Sequence, residues 1–212
     1  MKKNLLISVV VLVLVLGSVV PLSKQVDAAV TQLSPKVQQL IDFSEKNEAS
    51  EAANLFAQLS NKEKDELANY IEYNSDKVSP AYFIIMADHI YKSNKDKAAL
   101  WYYIGKFRSY EDTLMCKDKT SQSQLEVYPM LAPKTLKYVA TKVNDKKYIA
   151  DLMEKALKWD IDHPERINPI WACYHGISAF MKKPELLPEK EYSVVQDKVR
   201  AEIKESIEKY RK

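Results

Sequence analysis

Residues 159–176, WDIDHPERINPIWACYHG, combine several side chains that could do chemistry. The metal-ligand types in this stretch are Asp160, Asp162, His163, Glu165, Cys173 and His175. Their spacing matches neither the H-E-x-x-H helix nor paired C-x-x-C knuckles, which are the strong signatures of bound zinc. We expect Asp162 to cap a turn and His163-Pro164 to end a helix. The sequence therefore predicts no metal site and no cofactor.

A catalytic thiol is the second kind of chemistry that this stretch could support. Cys173 could act with His163 or His175. However, Cys173 and His175 are two residues apart, and residues at that spacing on a helix do not face each other. The sequence also identifies no third group that would orient the histidine. The serines lie in caps and loops without a nucleophile elbow, and no pair of carboxylates stands out as a glycosidase pair. An enzyme is the less favoured interpretation.

The first 28 residues have the layout of a secretory signal peptide. They begin with two lysines, continue through an apolar run from Leu5 to Val20 and end in VDA, with small residues at positions minus three and minus one of a cleavage site. The run is shorter than the roughly 20 residues that a spanning helix needs. We predict cleavage after Ala28 and a single exported domain, residues 29–212, without a membrane span. The alternative is an uncleaved N-terminal anchor.

The charge of the mature domain is close to zero. Removing the signal peptide removes three lysines and one aspartate, which leaves 29 basic and 28 acidic side chains and a net charge of +1. Nucleic-acid-binding proteins normally show a basic face, and attraction to anionic lipid also needs an excess of positive charge. We therefore expect no nucleic-acid partner.

The two cysteines of the chain, Cys116 and Cys173, are predicted to form a disulfide. An even cysteine count in an exported protein favours a bond, because disulfides persist outside the cytoplasm. The alternative is a pair of unrelated buried thiols. A bond would also remove Cys173 as a nucleophile or metal ligand.

The fold is predicted to be all-α. Only two glycines remain for tight hairpin turns after the signal peptide, and apolar residues recur with a period of about 3.6 rather than two. Helix starts are marked by Ser34-Pro35, the capping box Ser60–Glu63, Ser79-Pro80, Asp96, Pro133, Asp145 and Asn168-Pro169. We expect about 8–10 helices in stacked antiparallel hairpins, the last one carrying Tyr192 to Tyr210. Residues 117–124 are expected to form a loop.

The segment from Ala98 to Cys116, AALWYYIGKFRSYEDTLMC, has two stripes on a helical wheel. One is an apolar core stripe of Ala99, Leu100, Tyr103, Ile104, Phe107, Tyr110 and Leu114. The other consists of Trp101, Gly105, Arg108 and Asp112, in which Arg108 and Asp112 can pair at i, i+4. Glycine in a helix costs about 1 kcal/mol relative to alanine, so Gly105 indicates the close approach of another helix or a ligand. The second stripe is either packed within a stack or a binding face.

The helix predicted from Asn168-Pro169 to about Met181 repeats this arrangement. Its core stripe is Ile170, Tyr174, Ile177 and Met181, and Trp171, His175 and Ser178 align on the other side. Because Trp and Arg are favoured anchors of interfaces, the candidate binding residues are Trp101, Tyr102, Arg108, Trp171 and His175. Packing between neighbouring helices is the alternative here too.

Residues 80–108 resemble one unit of the Sel1-like and tetratricopeptide repeats. The resemblance rests on KAALWYY and on the spacing of Phe83, Met86, Ala87, Ile90, Ala99 and Tyr103. The string ALWYYIGKFR is also similar to a motif of bacterial exported or envelope helical proteins. The repeat resemblance implies a stack of helices with a concave binding surface, and neither resemblance implies an activity.

These observations predict an exported, monomeric protein, periplasmic or extracellular, that binds a protein or peptide partner in the cell envelope without catalysis. An adaptor or immunity-like role is compatible with this interpretation. The alternative is an envelope hydrolase with an unmarked acidic or metal site. Two convergent carboxylates in a pocket, one with a raised pKa, would favour the hydrolase. A broad groove lined by Trp101, Tyr102 and Arg108 would favour the binding protein.

Overall fold

The computed structural model of the protein describes residues 33–46, 48–181 and 184–212. Residues 33–212 pack as one unit. The predicted signal peptide, residues 1–28, lies outside the described residues.

The part of the chain that the structure describes contains eleven α-helices, three short 3-10 helices and no β-strand, which confirms the all-α prediction. The α-helices are α1 (Pro35–Lys46), α2 (Ala49–Ala57), α3 (Asn61–Tyr73), α4 (Ala81–Ile90), α5 (Lys95–Leu114), α6 (Gln124–Val127), α7 (Pro133–Thr141), α8 (Lys146–Asp162), α9 (Ile170–Cys173), α10 (Ser178–Met181) and α11 (Tyr192–Arg211). The 3-10 helices are Lys119–Ser123, Tyr128–Leu131 and Glu189–Glu191. None of the helices within the described ranges is long and apolar enough to cross a membrane.

Local capping sets several helix ends as the sequence predicts. The Ser60 hydroxyl accepts a hydrogen bond from the Glu63 N–H while the Glu63 carboxylate accepts one from the Ser60 N–H, so the capping box of α3 is present. Asp145 caps α8 by accepting from the N–H three residues further on. Helix α5 begins one residue before Asp96, because Asn94 rather than Asp96 provides the cap.

Helix α5 lies at the centre of the unit, in contact with α4, α7, α8, α9 and α11. Both wheel stripes are covered, so the second stripe is packed rather than a binding face. Trp101, Arg108 and Asp112 are almost completely buried, as are Ala99, Ile104 and Phe107 of the core stripe, whereas the core-stripe residues Tyr103 and Tyr110 are only half-buried. The reason is that α4 and α8 pack on the side of the helix that carries the charges.

The close approach that Gly105 indicates is made by α4. A Cβ atom added at Gly105 would lie 2.6 Å from Cγ1 of Ile84 and 2.8 Å from the carbonyl oxygen of Pro80. The ring of Phe83 meets Trp101 edge-on, with 5.5 Å between centroids. A helix rather than a ligand thus occupies the space beside Gly105.

The helix predicted from Asn168-Pro169 to Met181 is interrupted, so this prediction was wrong. Helix α9 ends at Cys173, a turn follows, and α10 begins at Ser178. The turn is held by the carboxylate of Asp118, which accepts a hydrogen bond from the Ser178 N–H. A Cβ atom at Gly176 would lie 2.5 Å from that carboxylate, so the loop before α6 packs tightly on the turn.

Two further expectations fail at the same place for the same reason. Tyr174, Ile177 and Met181, assigned to a core stripe, are 47%, 58% and 78% exposed. Residues 117–124, expected to form a loop, contain the 3-10 helix Lys119–Ser123 and lead directly into α6. Contacts between these two distant segments determine both conformations.

The disulfide prediction is confirmed. Cys116 and Cys173 are bonded, with 5.4 Å between their Cα atoms, and both are completely buried. The bond joins the residues just after α5 to the end of α9 across a separation of 57 residues. In the chain-entropy model a loop of this length restricts the unfolded chain by about 4 kcal/mol.

Candidate functional site

Six charged side chains meet where α5, α8, α11 and the segment after α8 come together, four of them buried and two, Arg166 and Arg200, partly exposed. This ionic cluster consists of Arg108, Glu111, Asp112, Asp160, Arg166 and Arg200. Its formal charges cancel, three positive against three negative. A buried ionic group is stable only when its charges are paired and hydrogen-bonded, so the contacts within the cluster decide its role.

Asp160 is the centre of the cluster. Its carboxylate accepts hydrogen bonds from Nε of Arg108 at 3.0 Å, Nη2 of Arg166 at 2.6 Å and Nη2 of Arg200 at 2.9 Å. These guanidinium groups come from α5, from the segment after α8 and from α11. One carboxylate on α8 therefore connects three separate parts of the chain.

Arg108 is fully engaged by neighbours inside the protein. Besides its bond to Asp160, it donates to the carbonyl oxygen of His163, and its guanidinium lies 4.7 Å from the ring centroid of Trp159. The Trp159 ring stacks in turn on His163, with 4.1 Å between centroids. Arg108 thus fastens α5 to the end of α8 instead of pairing with Asp112 one turn away.

Glu111 and Asp112 are the two carboxylates of the cluster with raised pKa values. Burial, only partly offset by Arg166, raises the pKa of Glu111 to about 7 and that of Asp112 to about 6. Oδ2 of Asp112 accepts a hydrogen bond of 2.8 Å from Nε1 of Trp171. Both carboxyl groups can therefore hold a proton near neutral pH, which is a property that a general acid needs.

A cleft of about 530 Å³ lies beside the ionic cluster, with Asp112, Arg166, Glu189 and Tyr192 among its lining residues. Glu111 and Asp160 do not line this cleft. Oδ1 of Asp112 is shielded from solvent and makes no hydrogen bond to a described residue. Of the two carboxyl groups with raised pKa values, Asp112 therefore borders the cleft and Glu111 does not.

A separate groove of about 630 Å³ runs between α1, α2, α4 and the segments around residues 128–131 and 171–175. Its aromatic and aliphatic lining includes Phe43, Phe56, Ile85, Tyr128, Leu131 and Trp171. No Asp, Glu, Lys or Arg is among the described residues that line it. We call it the apolar groove.

Trp171 and His175 form one wall of the apolar groove together with Tyr128. The ring centroid of Tyr128 lies 6.1 Å from that of Trp171 and 6.4 Å from that of His175. Partial desolvation of the imidazole lowers the pKa of His175, so the ring is neutral at pH 7. The wall is aromatic and uncharged.

Large apolar side chains are exposed on the two segments that border this wall. They are Val127, Met130, Leu131, Tyr174, Ile177, Phe180 and Met181, with exposed fractions from 38% for Leu131 to 90% for Phe180. Exposed apolar residues grouped in this way are typical of interaction surfaces. We call this set the apolar rim.

The five predicted binding residues are not brought together. Trp101 and Arg108 are buried, Tyr102 lies at a third cavity, and only Trp171 and His175 line the apolar groove. The groove was not predicted because the residues opposite them, from α1, α2 and α4, are more than 80 positions away in sequence, the nearest pair being Ile85 and Trp171. No spacing signal links residues so far apart.

The described residues contain no group of three or more His, Cys, Asp or Glu side chains arranged to hold a metal ion. Comparisons with protein-family models, with curated proteins and with solved structures found no match to this chain.

Proposed function

We propose that this chain is an exported, non-catalytic binding protein and that its apolar groove receives an apolar segment of a protein partner in the cell envelope. An adaptor or immunity-like role follows from such binding. The observation that carries the proposal is the groove itself, an uncharged depression whose lining includes Leu131 and Tyr174 of the apolar rim.

The polar groups of the groove support an apolar occupant, because most of them are already engaged. The Tyr82 hydroxyl donates to the carbonyl oxygen of Leu40, and the Ser44 hydroxyl accepts from the Ser79 N–H. The indole N–H of Trp171 is likewise bonded to Asp112 inside the protein. Few donors or acceptors remain for a polar ligand, so binding would come from burial of apolar side chains.

The exposed apolar side chains near the groove support a peptide or protein as its occupant. Leu131 and Tyr174 line the groove, and the segments that carry them, residues 127–131 and 174–181, hold further exposed apolar side chains. Each large apolar side chain moved from water into such a site contributes about 1.5–3 kcal/mol. Two or three anchor side chains of a partner segment would together contribute about 3–9 kcal/mol. The entropic cost of association, at least about 4 kcal/mol, would leave a weak affinity, in the range of roughly 0.1–1 mM at the tightest.

The proposal is tested by selecting displayed random peptides on the mature domain and measuring their affinity for two variants of α2. Ala53 is exposed and lines the groove, whereas Ala57, on the same helix, is exposed outside it. Ala53→Trp fills the groove and should weaken the selected apolar peptides at least tenfold, while Ala57→Trp should leave affinity unchanged. Selection of peptides without apolar residues, or equal affinities for the two variants, would refute the proposal.

A hydrolase is the second candidate function, favoured by one observation. Asp112 lines the cleft and has a pKa raised to about 6, which would suit a general acid. The same carboxyl group is held by Trp171 and shielded on its other oxygen, as a structural group would be. Hydrolysis of envelope glycans or peptides that persists in wild type and disappears in a folded Asp112→Asn variant would support this candidate over the first.

A further inference from the structure

A third cavity, of about 450 Å³, lies between α5 and α11. It shares one lining residue, the aromatic Tyr128, with the apolar groove. Its volume falls within the range of small-molecule sites, which is about 300–1,000 Å³. Aromatic rings dominate its walls, among them Tyr102, Tyr103, Phe107 and Tyr210. We call it the tyrosine cavity.

Three phenol groups in the tyrosine cavity have no partner. The hydroxyls of Tyr102, Tyr103 and Tyr210 make no hydrogen bond to any described residue, and none of them is sealed from solvent. Burial raises the pKa of Tyr103 to about 12, so this phenol keeps its proton and remains a hydrogen-bond donor. The cavity thus offers donors along aromatic walls.

Lys106 is the only cationic side chain that lines the tyrosine cavity among the described residues. Lys106 is an exposed residue that forms no ion pair and no hydrogen bond with a described residue, and its ammonium nitrogen lies 6.0 Å from the ring centroid of Tyr103. Partial desolvation lowers the pKa of this amine. An ammonium without a counterion, facing a cavity, is suited to bind an anion.

The carboxylate in the same cavity does not satisfy Lys106. Glu202 accepts a hydrogen bond of 3.0 Å from the Tyr110 hydroxyl, and its other oxygen lies 3.9 Å from the ammonium of Lys198. The contacts of the Glu202 carboxylate are therefore made with Tyr110 of α5 and Lys198 of α11, not with Lys106. Lys106 retains its own positive charge for a ligand.

We propose that the tyrosine cavity binds a small organic anion with an apolar, ring-sized body. The anionic group lies on Lys106 and accepts hydrogen bonds from the phenols of Tyr102 and Tyr103, and the apolar body packs on Phe107 and the tyrosine rings. This site goes beyond the proposed function, because a protein segment in the apolar groove makes no use of Lys106.

The experiment compares three probes of one shape by calorimetric titration of the mature domain. The probes are 3-phenylpropionate, the neutral 3-phenyl-1-propanol and the cationic 3-phenylpropylamine. We expect the carboxylate to bind at least tenfold more tightly than either of the others, because a charge-assisted hydrogen bond is worth about that factor or more. Equal affinities, tighter binding of the amine, or no binding of the carboxylate would overturn the proposal.

Variants test whether Lys106 and Tyr103 cause the preference for the carboxylate probe. Lys106→Met should abolish the preference for the carboxylate, whereas Lys137→Met, which removes an exposed lysine of α7 outside the cavity, should keep it. Tyr103→Phe retains the ring and removes one donor, so it should weaken the carboxylate several-fold even if Lys106→Met does not fold. A carboxylate affinity unchanged in Tyr103→Phe, or equally reduced by the Lys106 and Lys137 variants, would refute the assignment.

Discussion

Replacing Asp160 by asparagine should destabilise the protein strongly, although the two side chains have nearly the same shape. The substitution leaves the buried guanidinium group of Arg108 without an ion-pair partner, and it leaves Arg166 and Arg200 with Glu111 as their nearest carboxylate. Arg108 and Asp160 are each 1% exposed, so water cannot replace the lost charge. Removing one partner of a buried ion pair typically costs about 3–5 kcal/mol.

The control for this variant is two residues away on the same helix. Asp162 pairs with Lys158 at 2.7 Å, but its side chain is 50% exposed, so Asp162→Asn should cost no more than about 0.5 kcal/mol. Urea unfolding of both variants and the wild type gives the two free-energy changes directly, provided that the m-values agree. A loss below about 1 kcal/mol for Asp160→Asn, or similar losses for the two variants, would refute the argument that Asp160 holds the cluster together.

Three further outcomes follow from the fold. The double variant Cys116→Ser/Cys173→Ser should lose about 4 kcal/mol of unfolding free energy relative to the oxidised wild type, measured by urea unfolding, and a loss under about 1 kcal/mol would contradict the entropic estimate. Gly105→Ala should lower the melting temperature despite the better helix propensity of alanine, because its Cβ would lie 2.6 Å from Ile84; a rise would show that α4 moves away at little cost. The pKa of Glu111 is raised from 4.5 to about 7 in the folded state, so its contribution to stability is complete below about pH 4.5 and is lost as pH rises towards 7. The unfolding free energy of the wild type should therefore fall as pH rises through this window, and this fall should be absent in Glu111→Gln. Identical pH profiles for the two proteins would contradict the buried position of this carboxyl.

The features that the sequence predicted correctly depend either on local signals or, for the disulfide, on the presence of only two cysteines. Caps at Ser60 and Asp145 act within one helical turn, so they determine helix starts wherever the helix later packs. With only two cysteines in the chain, the bonded pair required no knowledge of the fold. These signals were sufficient for the fold class and for the link between the two halves of the domain.

The features that the sequence did not predict depend on contacts between distant segments. The wheel of α5 placed Arg108 and Asp112 one turn apart as a local pair, but Asp160, 52 positions from Arg108, takes that role. Likewise, Asp118 breaks the helix that the pattern around Trp171 favours, by capping α10 from a distant loop. A helical period reports which faces are apolar and says nothing about which partner covers each face.

The candidate site also divides into a part that the sequence predicted and a part that it did not. Trp171 and His175 were singled out as residues opposite an apolar stripe, and they do line the apolar groove. The opposite wall, with Phe43 and Phe56, comes from α1 and α2, where ordinary amphipathic spacing marks core residues and nothing more.

The most direct test of the proposed function is site-specific photo-crosslinking in intact cells. A benzophenone amino acid replaces Tyr174, which is 47% exposed at the apolar groove, and in a matched protein it replaces Tyr73, which is 84% exposed on α3 away from the groove. The account predicts an adduct with one envelope protein from position 174, no such adduct from position 73, and loss of the position 174 adduct when Ala53→Trp fills the groove. An adduct from position 174 that survives Ala53→Trp, or the absence of any protein adduct at that position, would contradict it.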